Sequence, residues 1–452
     1  MEVLLNLLKP FLFIYQFFER IFWSGLNERS ILGLVLNFWL NFGPIFIWLL
    51  IFKNAGLIPH SIRPTIHVAL PFHVDTFMFS TWKGALICIP SFFAIGWLLY
   101  FAVYRQKGKL ANSKSKYVPL KSEDDVAVSE EGSSSFEMES FESDDLEPGV
   151  VAIGKPPEAN FQGEIKQLTF FKPLDTRVVN DMATSVNKYI REKQNQYGYH
   201  WQVPRNCWYW APPFLLATSW FILNFDYWLR TPIRTWKDLL AWTSYVLGHI
   251  TVPIITAVWL YVFHAPGALK YYGWALGFQN ICGVLTHLLF PCAPPWFIHM
   301  YGEDAEANYD LPGYAAGLTR VDVALGTHLN SKGFHASPIV FGAVPSLHSA
   351  MAVMTFLFVS YYARWTFVKL ISFAFVVLQW WATIYLDHHW RLDLFVGMCY
   401  ALIWFAIMYH RLRRVNELFL QSRLQYNFAK GSTMGMRVFR NTKLQSFFDP
   451  LS

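Results

Sequence analysis

Gly342-Ala343-Val344-Pro345-Ser346-Leu347-His348-Ser349 and Asp387-His388-His389-Trp390-Arg391-Leu392-Asp393 each open a long apolar run. The first run covers 341–362, the second 392–410, and a further apolar block at 366–386 lies between them. About 20 apolar residues is the length of a membrane-crossing helix. Two crossings therefore separate the clusters, and both lie at one membrane face. A Ser/His cluster and a His/Asp pair at the starts of two spanning helices suit phosphoryl transfer on a lipid headgroup.

The rest of the chain extends the pattern. Hydrophobic residues make up 54%, aromatics 18% and charged residues 15%, against about 25% charged in a soluble domain. Eight blocks are long enough to cross a bilayer: roughly 31–52, 86–104, 208–225, 239–263, 269–290, 341–362, 366–386 and 392–410. Pro212-Pro213 interrupts the third, and Gly273, Gly277 and Gly283 dilute the fifth. The fold class is an all-α, polytopic membrane helix bundle of about eight spans. The first 25 residues are apolar but broken at Lys9-Pro10 and lack an Ala-x-Ala-type cleavage site. They read as an interfacial helix.

Four regions follow: 1–104, with the interfacial helix and two spans; 105–207, a polar insertion; 208–410, the catalytic core; and 411–452, a basic tail. Arg105, Lys107, Lys109, Lys114, Lys116 and Lys121 follow span two, and Arg411, Arg413, Arg414 and Arg423 follow span eight. Basic flanks stay cytosolic, which puts both termini in the cytosol and both clusters on the opposite face. Arg230, Arg234 and Lys237 run against that orientation. Between Glu123 and Glu147 eleven acidic residues alternate with serines. Such a segment cannot bury enough apolar surface to order itself, and reads as a tether or a phosphorylation-controlled segment.

The net charge of +6 comes from membrane flanks, with no Lys/Arg stripe of the kind that binds nucleic acid. Five cysteines without CxxC spacing indicate neither a disulfide framework nor a zinc site. No cofactor is implied.

His389 and Asp393, four apart at a helix start, lie on one face. The carboxylate holds one imidazole nitrogen as N–H and leaves the other free to attack. His348 arrives from the other helix start to protonate the leaving alkoxide. Both starts offer N–H groups and a dipole to an anion. Ser346 adds a donor, and Arg391 and Arg320 are the nearest fixed cations. A metal site from Asp387, His388, His389 and Asp393 is the alternative. His249 and His287, alone in apolar spans, read as packed or helix-bonded residues.

Pro-Ser-x-His and His-x-x-x-Asp at two span starts are similar to the second and third motifs of the type 2 phosphatidate phosphatase superfamily. The superfamily's Lys and Arg-Pro motif is missing, Ala382-Thr383 stand where Ser-Arg is usual, and Leu347 replaces a glycine. Phe290-Pro291-Cys292-Ala293-Pro294-Pro295-Trp296, Ala307-Asn308-Tyr309 and Gly317-Leu318-Thr319-Arg320-Val321-Asp322 resemble the fungal inositol phosphorylceramide synthases, over about 265–410. Gly326-Thr327-His328-Leu329-Asn330, Gly333-Phe334-His335-Ala336-Ser337-Pro338-Ile339-Val340-Phe341 and Ala55-Gly56-Leu57-Ile58-Pro59 resemble the fungal inositolphosphotransferases of complex sphingolipid synthesis.

The resemblance implies transfer of inositol phosphate from phosphatidylinositol to mannosyl-inositolphosphorylceramide, releasing diacylglycerol, on the luminal side of the Golgi membrane. It implies His389 as nucleophile through a phospho-histidine, Asp393 as its orienting partner and His348 as acid/base. Asn308, Tyr309 and Asp322 either shape the headgroup pocket or fold their loop. Transfer to ceramide, lipid phosphatase activity, and a non-enzymatic lipid carrier remain the alternatives.

Overall fold

The computed structural model describes residues 2–27, 29–111, 211–424, 427 and 430–449. The acidic, serine-rich segment lies outside them.

A helix stands on each of the eight apolar blocks. In chain order the helices are α1 (Glu2–Leu26), α2 (Ile31–Asn54), α3 (Ala69–Ser80), α4 (Trp82–Ala111), α5 (Ala211–Leu229), α6 (Thr235–Phe263), α7 (Ala268–Leu289), the short α8 (Pro295–Tyr301), α9 (Leu318–Leu325) and α10 (Leu329–His335), then α11 (Leu347–Tyr362), α12 (Thr366–Tyr385) and α13 (Arg391–Leu424). Two short turns, α14 (Met434–Val438) and α15 (Gln445–Phe448), close the described chain. Among the described residues four helical segments are long and apolar enough to cross a membrane by themselves, beginning at Ile31, Thr235, Thr366 and Arg391. The pair α3/α4 makes a fifth if its two arms, bent by 84°, count as one span. This is an α-helical membrane protein.

Three expectations change. Pro212-Pro213 does not break a span but sits in the first turn of α5, where a missing N–H costs nothing. Helix α1 runs through Lys9-Pro10 without interruption. The helix of the last span continues past residue 410 to Leu424, because Arg, Leu and Glu favour helix whether or not lipid surrounds them.

The glycines of α7 are its contact face. A Cβ on Gly277 would lie 2.5 Å from Pro44 of α2, and one on Gly273 would lie 2.8 Å from the Asn41 carbonyl. Small residues let two spans approach closely enough for dispersion to hold them. Behind this pair α11, α12 and α13 share a core of Met354, Phe358, Trp380, Leu394 and Leu412. Gly84 permits the sharp α3/α4 bend, since a Cβ there would stand 1.7 Å from the Phe77 carbonyl oxygen.

Backbone pairing stitches three distant segments together. Cys292 forms bridges to His67 on one side and to Gly342 on the other, through Cys292 N–H to Phe341 O at 2.8 Å and Ala293 N–H to His67 O at 3.0 Å. The N-terminal quarter is thus tied to the turn that precedes His348. At the other end, α1 packs on the returning tail. Arg437 donates to Ser24 O at 2.9 Å, Arg20 to the Arg440 carbonyl, and Phe17 meets Phe439. The opposite face of α1 exposes Phe11, Tyr15, Phe18 and Phe22, one stripe at helical spacing.

Candidate active site

Ser346 begins α11. Its hydroxyl accepts from Ser349 N–H at 3.3 Å, the N-cap bond expected of a serine ahead of an apolar run, and this turns His348 toward the start of α13. The two helix starts are joined directly: Ser346 N–H donates to Asp393 O at 2.9 Å, and Ser349 Oγ donates to Leu394 O at 2.6 Å. Trp380 Nε1 donates to Ser349 Oγ at 2.8 Å, locking α12 to both. Gly397 lets the backbones touch, for a Cβ there would lie 2.3 Å from Ser346 O.

The rings of His348 and His389 stand 5.7 Å apart. His389 Nδ1 lies 3.2 Å from Asp393 Oδ2, which also accepts from Trp390 N–H at 2.9 Å. Asp393 is fully buried. Burial pulls His389 down to about 4, against an opposing hydrogen bond to Ala343, and pulls His388 down to about 3. The His389 imidazole is therefore neutral at physiological pH and has a lone pair to use. In the tautomer that donates Nδ1–H to Asp393, the lone pair is on Nε2.

Both histidines open onto a cavity of about 170 Å³, whose walls include Tyr245, His287, Trp296, Tyr314, Phe334 and His388. His287 and His249, in neighbouring helices, also approach the site. His287 lines the cavity and its Nε2–H donates to Pro345 O at 2.8 Å. The His249 ring lies 4.3 Å from His348. Tyr245 stacks on His348 at 4.2 Å and on His388 at 5.0 Å. It sits in a π-helical turn, Thr243–Gly248, inside α6, a device often found at functional sites and one that no residue pattern announces.

The other expected contacts are placed differently. Arg391 is buried and committed: Nη2 and Nε reach Asp75 Oδ2 at 2.7 and 3.1 Å, Nη1 reaches Asn224 at 3.0 Å, and Nη2 reaches Ser80 at 2.8 Å. Asp75 Oδ1 also accepts from Leu392 N–H at 2.9 Å. The start of α13 is thus capped by Asp75 and Asp393 and has fewer N–H groups for a substrate anion than its position promised. Arg320 Nε pairs with Asp238 at 2.8 Å, and its Nη2 is buried without a hydrogen bond. Ser346 is fully buried as a cap.

The loop residues hold the loop. Asn308 accepts from Asp310 N–H, and Tyr309 donates to Pro64 O at 2.6 Å. Asp322 collects Thr327, Asn330 and Ser331. Of the alternative metal set, Asp387 pairs with His299 at 2.7 Å and His388 Nε2 with Ala315 O at 3.1 Å. Among the described residues no three His, Cys, Asp or Glu side chains converge as a ligand set.

His389, held by the buried Asp393, and His348 are thus brought together on one cavity by two helix starts. Residues 214–407 match the family described as the PAP2 superfamily. The chain belongs to the inositolphosphotransferase family: it is 31% identical to Inositolphosphotransferase 1 of Saccharomyces cerevisiae over 97% of this chain and 98% of that protein. It is also similar to the inositol phosphorylceramide synthase catalytic subunit of Schizosaccharomyces pombe, at 38% over 44% of this chain and 47% of the relative. A more distant likeness is to the phosphoinositol dihydroceramide synthase of Bacteroides thetaiotaomicron, at 29% over 39% and 57%. No solved structure matches.

Proposed function

We propose that this chain is a sphingolipid phosphoinositol transferase that moves inositol phosphate from phosphatidylinositol to mannosyl-inositolphosphorylceramide on the luminal face of the Golgi membrane. The observation that carries the proposal is the His389–Asp393 couple at 3.2 Å facing His348 across 5.7 Å, in a chain similar along nearly its whole length to Inositolphosphotransferase 1.

In the first step His389 Nε2 attacks phosphorus. The P–N bond forms as the bond to the diacylglycerol oxygen breaks, and His348 gives its proton to that oxygen. In the second step His348 takes the proton of an acceptor hydroxyl, whose oxygen displaces His389. The Asp393 carboxylate offsets the positive charge that develops on the His389 ring. Of the two expected cations, Arg320 has an N–H to spare, while Arg391 serves the fold. Ceramide as acceptor would leave every one of these steps unchanged.

Membranes containing the full chain, given labelled phosphatidylinositol, test the reading. Product from the mannosylated acceptor, lost in His389→Ala, is the expected result. Product from ceramide alone would reassign the acceptor. Transfer that survives His389→Ala would overturn the mechanism.

A further inference from the structure

One wall of the cavity is built with care that the His389–Asp393 couple does not require. Phe334, on α10, lines the cavity with its ring 4.6 Å from His388. It lies nearly parallel to Tyr245, 18° between planes and 6.5 Å between centroids. Tyr245 in turn stacks on His348. Rings from three separate segments therefore run side by side, starting beside the acid/base histidine and ending at Phe334.

This wall is anchored from behind. Asp322 is 3% exposed and accepts five hydrogen bonds. Thr327 Oγ1, Asn330 N–H and Asn330 Nδ2 reach its Oδ1 at 3.0, 3.2 and 2.8 Å, while Ser331 N–H and Oγ reach its Oδ2 at 2.8 and 2.7 Å. Burial favours protonation, but the bonds from Ser331 and Asn330 outweigh it and hold this carboxyl well below the usual range. Thr327 precedes α10, and Asn330 and Ser331 lie in its first half, so Asp322 fixes where Phe334 stands. From the other side Gly313 closes on α10. A Cβ there would lie 2.1 Å from the Phe334 carbonyl oxygen, so only glycine permits the approach.

Flat aromatic faces beside imidazole edges, Ser337 and the main chain of Gly313 and Gly342 suit a cyclic polyol, which has apolar C–H faces and a hydroxyl rim. A quaternary ammonium also stacks on aromatic rings. Among the described residues lining the cavity, however, none is Asp or Glu, so nothing there would neutralise a cation. We infer that the Asp322-anchored segment 326–337, through Phe334 ranged beside Tyr245, forms an aromatic subsite that reads the inositol ring of the donor headgroup. This rests on the proposed phosphoinositol transfer and names the part of the cavity that makes it selective for inositol.

The test uses the purified full chain in mixed micelles, with initial rates measured against phosphatidylinositol, phosphatidylglycerol and phosphatidylcholine. Phe334→Leu is expected to raise KM for phosphatidylinositol about ten-fold, the scale of one lost aromatic stack. The acceptor KM stays unchanged and kcat stays within about three-fold, while Phe334→Tyr restores KM. Asp322→Asn, which keeps its side-chain shape, is expected to raise the same KM, and it covers the case in which Phe334→Leu fails to fold. An unchanged donor KM in both variants, a rise confined to the acceptor KM, or wild-type use of phosphatidylcholine equal to phosphatidylinositol overturns the subsite.

Titration with inositol 1-phosphate separates the two readings. If the wild type transfers nothing yet binds it, and Phe334→Leu weakens that binding, the subsite stands and the transferase reading fails. If no binding is seen in the wild type, the subsite fails.

Discussion

Asp75→Ala removes the acceptor of three hydrogen bonds, two from Arg391 and one from Leu392 N–H, and leaves a guanidinium that is only 4% exposed. Asn224 and Ser80 remain as partners, but neither carries charge. Removing one partner of a buried ion pair costs about 3–5 kcal/mol, because the other charge stays desolvated. At roughly 2–4 °C per kcal/mol for a domain of this size, the unfolding midpoint should fall by about 10 °C. Arg391 lies two residues past His389, so freeing it also loosens the proposed nucleophile. A displacement of about 1 Å is worth about 10²-fold in rate, and the loss should fall on kcat more than on KM. Replacing both partners by apolar residues, Asp75→Leu with Arg391→Met, removes the stranded charge and should recover most of the stability. The assay is intrinsic tryptophan fluorescence through a thermal ramp in detergent, with transfer rates measured below the transition. Additivity decides the matter: if the double variant is destabilised by the sum of the two single variants to within about 0.5 kcal/mol, the pair is not coupled and the reasoning fails.

Gly397→Ala drives a methyl to within 2.3 Å of Ser346 O and wedges apart the two helix starts that carry His348 and His389. Transfer should drop at least about 10²-fold while the protein still expresses and inserts; normal activity would refute the close approach. Asp393→Asn should lower kcat by about 10³- to 10⁴-fold, because an amide favours the wrong imidazole tautomer, and the proposed phospho-histidine, trapped by alkaline denaturation because its P–N bond does not survive acid, should vanish with it. His389 sits near 4 rather than at its ordinary 6.5, so it stays deprotonated down to weakly acidic pH. The acid limb of kcat/KM is expected near pH 4, and a limb at 6.5 would contradict its burial. His299, raised by its hydrogen bond to Asp387, contributes stability that is fully present below about pH 6.5 and is lost as pH rises through its elevated value. The midpoint gap between wild type and His299→Ala should therefore be wider at pH 6 than at pH 9.

How far the sequence reaches depends on the range of each interaction. His389 and Asp393 are four residues apart, and helical geometry alone puts them together. The meeting of His348 with His389 follows from counting two crossings between them. Arg391 shows where this reasoning stops. A cation beside a phosphate site invites a phosphate role, but its partner Asp75 lies 316 residues away, and no local pattern pairs them. Tyr245 and His249 were hidden for another reason: in an apolar run an aromatic and a histidine look like filler, and the π turn that directs them has no residue signature. Pro212-Pro213 misled because a proline pair breaks a helix interior yet suits a first turn, and the two cases differ only in where the helix begins.

That π turn has a further consequence. An α-helix turns about 100° per residue, and a π turn takes up one residue beyond the regular count. Everything after Gly248 is therefore rotated by about a quarter turn from where an unbroken helix would put it. The side chains that meet His348 from this helix depend on how many residues lie between 243 and 248, as well as on which residues they are. Deleting one would let the helix close into regular α geometry, locally more comfortable, and would swing the His249 half away from His348. A substitution scan across the turn would overlook this dependence. It is written in chain length, and only single-residue deletions and insertions can read it.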